Sequence, residues 1–205
     1  GRHYDWLLPM DNPIMLPGLS KLASAVTRHG AVASAELSHA GMFAKASFEA
    51  GAPLLGPVDM VNKYGEVRAM TEADIEHVIE TFGNAAAFAK QCGFGMVTIH
   101  GGHGWLVSQF MSERTNKRTD RWGGSLSNRM RFPLAIIEDI RNKCGRNFPI
   151  EFRMSGSECN DEGYDIDEGI RIAKALDGKV DLLHVSAGNH EIFDVFFITH
   201  PSMFH

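Results

Sequence analysis

The fold of this chain is decided by the stretch VTIHGGHGWL, which runs from Val97 to Leu106. It reads as a short apolar strand that ends in two histidines, His100 and His103, set among glycines. In α/β proteins with parallel strands, the side chains that carry out chemistry lie at the carboxyl ends of the strands. The stretch therefore predicts a functional site that is presented by a strand of an α/β fold.

Outside this stretch, the periodicity of apolar residues indicates strands that alternate with helices. Strands are predicted over residues 31–37, 96–100, 150–154 and 181–185. Helices are predicted over residues 20–29, 71–91, 125–145 and 165–178, and a long loop over 38–70. Such an alternation implies parallel βαβ units. Four units make half of an eight-stranded (β/α)8 TIM barrel, although a four-stranded open sheet fits the periodicity equally well.

Local signals mark the start of two predicted helices and an interruption in a third. Thr71 with Asp74, and Asp165 with Glu168, have the spacing of a capping box, in which each side chain bonds a free backbone N–H of the first turn. Pro133 lies inside a predicted helix, where its ring would clash with a carbonyl of the preceding turn and its nitrogen has no N–H to donate. We therefore expect that helix to kink or to start late.

The composition of the 205 residues is that of an ordinary soluble globular protein, with 44% hydrophobic residues and a net charge of -5. This charge gives no reason to expect nucleic acid or a membrane surface as a partner. The three cysteines are odd in number and widely spaced, which favours reduced thiols and a cytoplasmic location. Because the chain begins at Gly1 rather than at a methionine, we expect it to be part of a longer polypeptide.

The pair His100 and His103 allows three interpretations. A zinc site needs a third and a fourth ligand, and the sequence offers no obvious ones nearby, so we expect no metal. Imidazole N–H groups can instead bind and stabilise an anionic oxygen, with the neighbouring glycines letting a ligand approach closely. The third interpretation is two histidines that are satisfied by the backbone of a glycine turn.

Three more residues are predicted at the same edge of the sheet. Glu36 ends an apolar strand, where it accepts hydrogen bonds from a ligand or lies in water. Arg153 lies within an apolar strand, where it pairs with Glu151 on the same face or is held near an electron-rich ligand. His190 follows the last strand as a ligand-facing or a solvated histidine. A parallel sheet would bring these three side chains to His100.

The loop at 116–125 is rich in charged residues and contains Trp122. A solvated surface loop has such a composition, but the tryptophan favours a folded lid or brace over the end of the sheet. Asp120 and Arg129 are predicted as partners in such a brace.

Eight short stretches carry a resemblance to a known family. They are ELSHAG at 36–41, HGGHGWL at 100–106, QF at 109–110, NKRTD at 116–120, GGS at 123–125, NR at 128–129, FRMS at 152–155 and GNHE at 188–191. In this order, and over nearly the whole chain, they resemble the old yellow enzyme family of flavin oxidoreductases. The similarity is greatest to the larger bacterial enoate and dienoyl-CoA reductases.

The resemblance implies a (β/α)8 barrel that holds FMN, with the four visible strands as strands three to six. Residues 1–205 would be part of a single FMN-binding barrel domain, and the flanking strands and any C-terminal FAD/NAD domain would lie outside them. NADH or NADPH would reduce the flavin, and hydride would then pass to the activated C=C bond of a small enone, enoate or acyl-CoA. The larger relatives also carry a 4Fe–4S cluster and FAD, which we do not expect in this segment.

The resemblance also implies roles for single residues. His100 and His103 would bind the carbonyl oxygen of the substrate, with His100 also touching the flavin. Arg153 would lie near the flavin N1–C2 carbonyl edge. Glu36 would bind its pyrimidine edge at a position where the family usually has Gln, although a carboxylate can only accept hydrogen bonds.

Two further residues bear on the protonation of the product. Trp105 would line the substrate pocket where the family usually has the tyrosine that donates the proton. Because an indole N–H is not a usable acid, His190 becomes the expected proton donor, with His103 or water as alternatives.

Two rival interpretations remain. One is a catalytically inactive half-barrel that lacks the FMN phosphate site and associates with itself through its open strand edges into a homo-oligomer. The other is a barrel lyase or aldolase, which needs a Schiff-base lysine or a metal set at the strand ends. The sequence shows neither feature, which disfavours the lyase or aldolase.

Overall fold

The computed structural model describes residues 2–4 and 7–190 of the chain. Its helices are α1 (Leu16–Thr27), α2 (Lys45–Glu49), α3 (Glu72–Gln91), α4 (Leu106–Met111), α5 (Leu126–Arg129), α6 (Arg131–Cys144) and α7 (Ile166–Leu176). Its strands are β1 (Ser34–Leu37), β2 (Leu54–Gly56), β3 (Met60–Asn62), β4 (Gly65–Ala69), β5 (Met96–Gly101), β6 (Ile150–Ser155) and β7 (Leu182–Ser186). Along these residues, no helix combines the length and the apolar character needed to cross a bilayer.

The main sheet has four parallel strands in the order β1-β5-β6-β7, so spatial order follows chain order. One hydrophobic cluster joins the outward side chains of these strands to helices α1, α3, α6 and α7. An open doubly wound sheet would reverse its strand order and carry helices on both faces. Sequential order with these four helices in one outer layer is the arrangement of a barrel wall. The fold is therefore the predicted incomplete (β/α)8 barrel of four consecutive βα units.

The two faces of this sheet differ in chemistry because side chains alternate along each strand. The outward face carries Val97, Ile99 and Phe152, which are fully buried against the helices. The inward face is mostly polar. Its polar members are Ser34, Glu36, Thr98, His100, Glu151, Arg153, Ser155, His184 and Ser186, and its apolar members are Met96 and Leu182. Their register places His100, Arg153 and His184 side by side across three strands.

The segment 38–70 is not the long loop that the sequence predicted. It folds into α2 and a second sheet in the order β2-β4-β3, with its own small core that includes Met42, Phe43, Leu54 and Val67. The strands are three to five residues long and are interrupted by glycine and proline. Segments so short do not establish a period, which explains why the sequence favoured a loop.

The helix signals were largely correct. Thr71 and Asp74 form a full capping box at the start of α3. Asp165 caps α7 by accepting a hydrogen bond from the backbone N–H of Glu168. The helix predicted over 125–145 is divided into α5 and α6, and Pro133 is the third residue of α6. A proline is tolerated there because the first-turn N–H groups have no helical acceptor, so the late start is confirmed.

Candidate active site

A cluster of charged and polar side chains lies where β1, β5 and β6 end. Glu36 comes from β1, His100 from β5 and Arg153 from β6. Glu36 Oε1 accepts hydrogen bonds from His100 Nδ1 and, at 3.3 Å, from Arg153 Nη1. We call these three residues the site cluster. The sequence placed them at one edge of the sheet, and the structure brings them into direct contact.

His103 extends the site cluster towards β7. His103 Nδ1 lies 3.2 Å from His100 Nε2, and His103 Nε2 lies 2.8 Å from Ser186 Oγ. A carboxylate oxygen can only accept, so the His100 nitrogen that faces Glu36 carries a proton. The result is a continuous hydrogen-bonded path from Glu36 through two imidazoles to a serine hydroxyl.

The turn after β5 holds His103 in an unusual backbone conformation, with a φ of 57°. Its backbone N–H donates to Ser155 Oγ at 3.0 Å, and that hydroxyl donates to the Gly188 carbonyl at 2.9 Å. A Cβ on Gly101 would lie 2.3 Å from the ring of Phe152. This glycine is therefore required by packing against β6, whereas the sequence had suggested that the glycines make room for a ligand.

The charges of the site cluster shift the pKa values of Glu36 and of the neighbouring His103. Burial alone would raise the pKa of Glu36, but the hydrogen bond and charge of His100 and the charge of Arg153 lower it to about 2. Burial, with the charges of His100 and Arg153, lowers the pKa of His103 to about 4. At neutral pH the site therefore contains an ionised Glu36 and a neutral His103.

His190 lies beyond His103 and is bound to its backbone. His190 Nδ1 donates to the His103 carbonyl at 2.8 Å, and burial lowers the pKa of His190 to about 4. His190 Nε2 is buried and has no hydrogen-bond partner among residues 2–4 and 7–190. The neutral imidazole therefore uses its single proton on the backbone and leaves Nε2 as an unpaired acceptor.

Trp105 forms one wall beside these histidines. Its ring stacks on that of His190 with centroids 4.4 Å apart and an interplanar angle of 11°. The rings of Phe43 and His3 lie 4.2 Å from His190 and 5.2 Å from Trp105, respectively. Phe43 belongs to the segment predicted as a loop, so the sequence missed this contribution to the site.

Two serines of the site were also missed. Ser155 and Ser186 follow Arg153 and His184 by two positions on the same inward faces. Strand alternation extended by one more residue would have identified both. Nothing in the sequence, however, indicated which histidine each hydroxyl would meet.

The pairing with Glu151, one of the two alternatives for Arg153, does not form. Glu151 bonds to Thr98 Oγ1 and His184 Nδ1, so Arg153 turns to Glu36 instead. Both pairings satisfy strand alternation, and the register across the sheet decides between them.

The predicted Asp120–Arg129 pair is also wrong. Asp120 pairs with Arg118, which reaches the carbonyls of Pro57 and Met70. Arg129 pairs with Glu168 of α7 at 2.7 Å. The loop at 116–125 therefore braces the small sheet, while Arg129 ties α5 to α7.

The site cluster offers a hydrogen-bond donor and an acceptor that a ligand could use. Arg153 Nε is buried without a hydrogen-bond partner in the described part of the chain, and the Glu36 carboxylate is 42% exposed. A donor next to an acceptor is what a ring edge with a carbonyl and an N–H needs, so these residues fit the pyrimidine edge of a flavin. Within residues 2–4 and 7–190, no group of three or more His, Cys, Asp or Glu side chains is placed to hold a metal ion.

Comparison with known proteins gives a consistent picture. The model of the NADH:flavin oxidoreductase / NADH oxidase family matches residues 12–190. NADH oxidase of Thermoanaerobacter brockii is 38% identical over 194 residues, which are 93% of this chain and 30% of that protein. The chain spans roughly a third to a half of the first curated relatives that it matches.

Solved structures superpose on most of the chain. A 2-naphthoyl-CoA reductase in complex with 2-naphthoyl-CoA matches with a TM-score of 0.87 and 33% identity, over 93% of this chain and 31% of that one. Old Yellow Enzyme from Pichia sp. matches with a TM-score of 0.75 and 28% identity, over 86% of this chain and 52% of that one.

Proposed function

The chain belongs to the NADH:flavin oxidoreductase / NADH oxidase family, and from that premise we propose that it works as an FMN-dependent oxidoreductase. The resemblance to old yellow enzymes is thereby confirmed. In the proposed reaction NADH or NADPH is the reductant, and the acceptor is an activated C=C bond of an enone, enoate or acyl-CoA. The observation that carries the proposal is the convergence of Glu36, His100, His103 and Arg153 at the carboxyl edge of a parallel sheet.

Arg153 and Glu36 would hold the cofactor. The Arg153 guanidinium, with Nε unpaired among the described residues, would donate to the electron-rich carbonyl edge of FMN, and the Glu36 carboxylate would accept from its ring N–H. His100 lies against Glu36 and would complete this contact. When bound, FMN supplies the redox chemistry by accepting hydride from the nicotinamide and giving it to the substrate.

His100 and His103 would hold the substrate. His100 Nε2 and His103 Nδ1 converge to 3.2 Å, so one oxygen atom placed beside both would receive two hydrogen bonds. Such donors stabilise the negative charge that grows on a carbonyl oxygen when hydride reaches the β-carbon. Trp105 would form the pocket wall. The acyl-CoA bound to the naphthoyl-CoA reductase supports a thioester as one substrate class.

His190, the proton donor that the sequence predicts, could act only under a condition that its contacts impose. Its Nδ1 proton is bound to the His103 carbonyl, so it can give a proton from Nε2 after taking one up there. Because burial lowers the pKa of His190 to about 4, the doubly protonated ring would be a strong acid at neutral pH.

Binding of FMN tests the proposal most directly. We propose that residues 1–205 are part of one FMN-binding barrel domain. Purified protein is mixed with FMN, freed of excess flavin by gel filtration and examined for flavin absorbance. Bound flavin that is bleached by NADH or NADPH without air, and restored by an enone, is the expected result.

The rival half-barrel predicts a different outcome in the same experiment. Protein that stays colourless after incubation with FMN would contradict the oxidoreductase and favour an inactive half-barrel. The gel filtration step also reports the oligomeric state. A folded monomer would contradict self-association through the open strand edges.

A further inference from the structure

The reaction proposed above needs a proton as well as a hydride, and few groups at the site can hold one at neutral pH. Burial lowers the pKa values of His103 and His190 to about 4, so both rings are neutral. The Trp105 indole is not an acid, and an arginine does not give up its proton in proteins. His100 remains of the three histidines nearest the proposed substrate oxygen, and it touches the Glu36 carboxylate.

The contact with Glu36 decides what His100 can do. The carboxylate takes the Nδ1 proton of His100, so the second proton, on Nε2, is the one that can be present or absent. A neighbouring carboxylate favours the charged imidazolium. The His100 side chain is 9% exposed and that of Glu36 is 42% exposed, so solvent reaches the pair from the carboxylate side and screens it in part.

The other charged groups around His100 have to be counted too. From β6, the Arg153 guanidinium opposes a second positive charge, but its Nη1 is 3.3 Å from the same Glu36 oxygen. From β7, His184 is paired with Glu151 Oε1 at 3.1 Å. His103, in the turn after β5, is neutral. The carboxylate in direct contact with His100 is therefore that of Glu36.

His103 and Ser186 can accommodate either state of His100. A hydroxyl both donates and accepts, so Ser186 can accept from His103 Nε2 or donate to it. When His100 Nε2 carries a proton, His103 Nδ1 accepts it and His103 Nε2 donates to Ser186. When a substrate oxygen lies between the rings, Ser186 donates to Nε2 and His103 Nδ1 becomes a second donor to that oxygen.

From this geometry we propose that Glu36 keeps His100 doubly protonated and that His100 delivers its Nε2 proton to the substrate oxygen. Resting on the proposed function, this makes His100 the catalytic acid and Glu36 a positioning residue that acts through it. It also gives the carboxylate at position 36 a role that an amide could not perform, since an amide has no charge with which to favour an imidazolium.

The step balances in atoms and electrons. Hydride forms a C–H bond at the β-carbon, the C=C electron pair moves to the α-carbon and carbonyl carbon, and the carbonyl pair moves to the oxygen. That oxygen takes the Nε2 proton, whose N–H pair stays on His100, so His100 becomes neutral with Nδ1 still bound to Glu36. The enol product exchanges its O–H for an α C–H in water. The path through Ser186 and His103 can return a proton to His100.

The protonation state of His100 can be measured without any activity. Imidazole nitrogen chemical shifts are recorded at neutral pH on isotopically labelled protein, and the His100 signals are assigned by their loss in His100→Gln. We expect an imidazolium in the wild-type protein and a neutral ring in Glu36→Gln. The matched control is Glu151→Gln, which removes the carboxylate from His184 and should leave His100 charged.

Two results would overturn the proposal. One is a neutral His100 in the wild-type protein, and the other is an imidazolium that persists in folded Glu36→Gln. Circular dichroism of each variant establishes that it is folded. Protein that binds no FMN but shows the expected signals would contradict the proposed function and leave the Glu36–His100 pairing intact.

Kinetics of the flavin-loaded protein distinguish His100 from His190 as the acid. Flavin reduction by the nicotinamide and substrate reduction by the flavin are measured as separate half-reactions. Glu36→Gln should slow substrate reduction by about 10²-fold, the lower end of general-acid effects, and by more as the pH rises. Flavin reduction by the nicotinamide is measured separately, because Glu36 is also proposed to contact the flavin ring. Loss of substrate reduction in His190→Asn, with Glu36→Gln unaffected, would assign the proton to His190 and refute our proposal.

Discussion

Two charge clusters in this molecule, one buried and one partly exposed, differ in how fully the arginine uses its hydrogen-bond donors. Arg129 and Glu168, with 4% and 9% of their side chains exposed, form a closed pair between α5 and α7. Arg129 donates from Nη2 to Glu168, from Nη1 to the Met111 carbonyl and from Nε to the Gly124 carbonyl. In the site cluster, by contrast, Arg153 bonds Glu36 through Nη1 while Nε has no partner among the described residues.

This difference in hydrogen bonding indicates a structural role for Arg129 and a ligand-binding role for Arg153. A buried guanidinium is tolerated when its nitrogens find acceptors, and all three nitrogens of Arg129 do so within the fold. Arg153, on the inward face of the sheet, has one nitrogen without an acceptor among the described residues. A buried donor left unpaired costs free energy unless a ligand satisfies it. An unpaired guanidinium nitrogen therefore distinguishes the site cluster from the Arg129–Glu168 pair, in which Glu168 Oε2 has no hydrogen bond among the described residues but is ion-paired with Arg171.

The largest expected effect falls on the closed pair. Arg129→Ala leaves Glu168 buried beside the exposed Arg171, which should lower the free energy of unfolding by about 3–5 kcal/mol in urea titrations. The control is the exposed Arg131→Ala, expected to change it by less than about 0.5 kcal/mol. A loss below about 1 kcal/mol for Arg129→Ala would remove the distinction between the two clusters.

The next largest effect is expected on the rate of substrate reduction rather than on the free energy of unfolding. His100→Ala removes a donor to the developing oxyanion and should lower the rate of substrate reduction by about 10²–10³-fold, or about 2.7–4 kcal/mol. Flavin reduction by the nicotinamide should persist, as measured by anaerobic stopped-flow absorbance. His184→Gln, in the same layer of the sheet, is the control and should retain substrate reduction. Equal activity in His100→Ala would contradict the site assignment.

A surface pair provides a third point of comparison. Asp74 accepts from Arg68 and also from the backbone N–H of Thr71, and these contacts lower its pKa. Asp74→Ala should cost about 1 kcal/mol of unfolding free energy through the lost cap. Arg68→Ala should cost less, about 0.3 kcal/mol, because exposed ion pairs contribute little. Equal losses in thermal or urea unfolding would show that charge, and not capping, dominates at the surface.

The smallest expected effect is the pH dependence of stability that Glu36 contributes. Its pKa falls from 4.5 to about 2 on folding, so the native state favours the ionised carboxylate. This stabilisation is fully present above pH 4.5 and is lost as the pH falls towards about 2. Solvent screening of the partly exposed side chain limits it to about 1 kcal/mol or less. The unfolding free energy of Glu36→Gln, followed from neutral to acid pH, should converge with that of the wild-type protein at the acid end.

The sequence predicted the main helices and strands well because their signals come from residues that are close together in the chain. The strand that ends at His100, the capping box at Thr71 and the late start of the helix with Pro133 all depend on residues close together in the chain. The small sheet of β2, β3 and β4 was missed because its strands are too short to show a period. Whether the parallel strands formed an open sheet or a barrel wall was decided by their order in space.

The amino-acid sequence by itself determined which residues face inward, because strand alternation is a local property of the chain. Only the tertiary structure decided which partner each charge meets. Glu36 is 64 residues from His100 and 117 from Arg153, whereas the expected partner of Arg153 was two positions away. Register between distant strands follows from how the helices and the outward core pack together, and no short stretch of sequence encodes that packing.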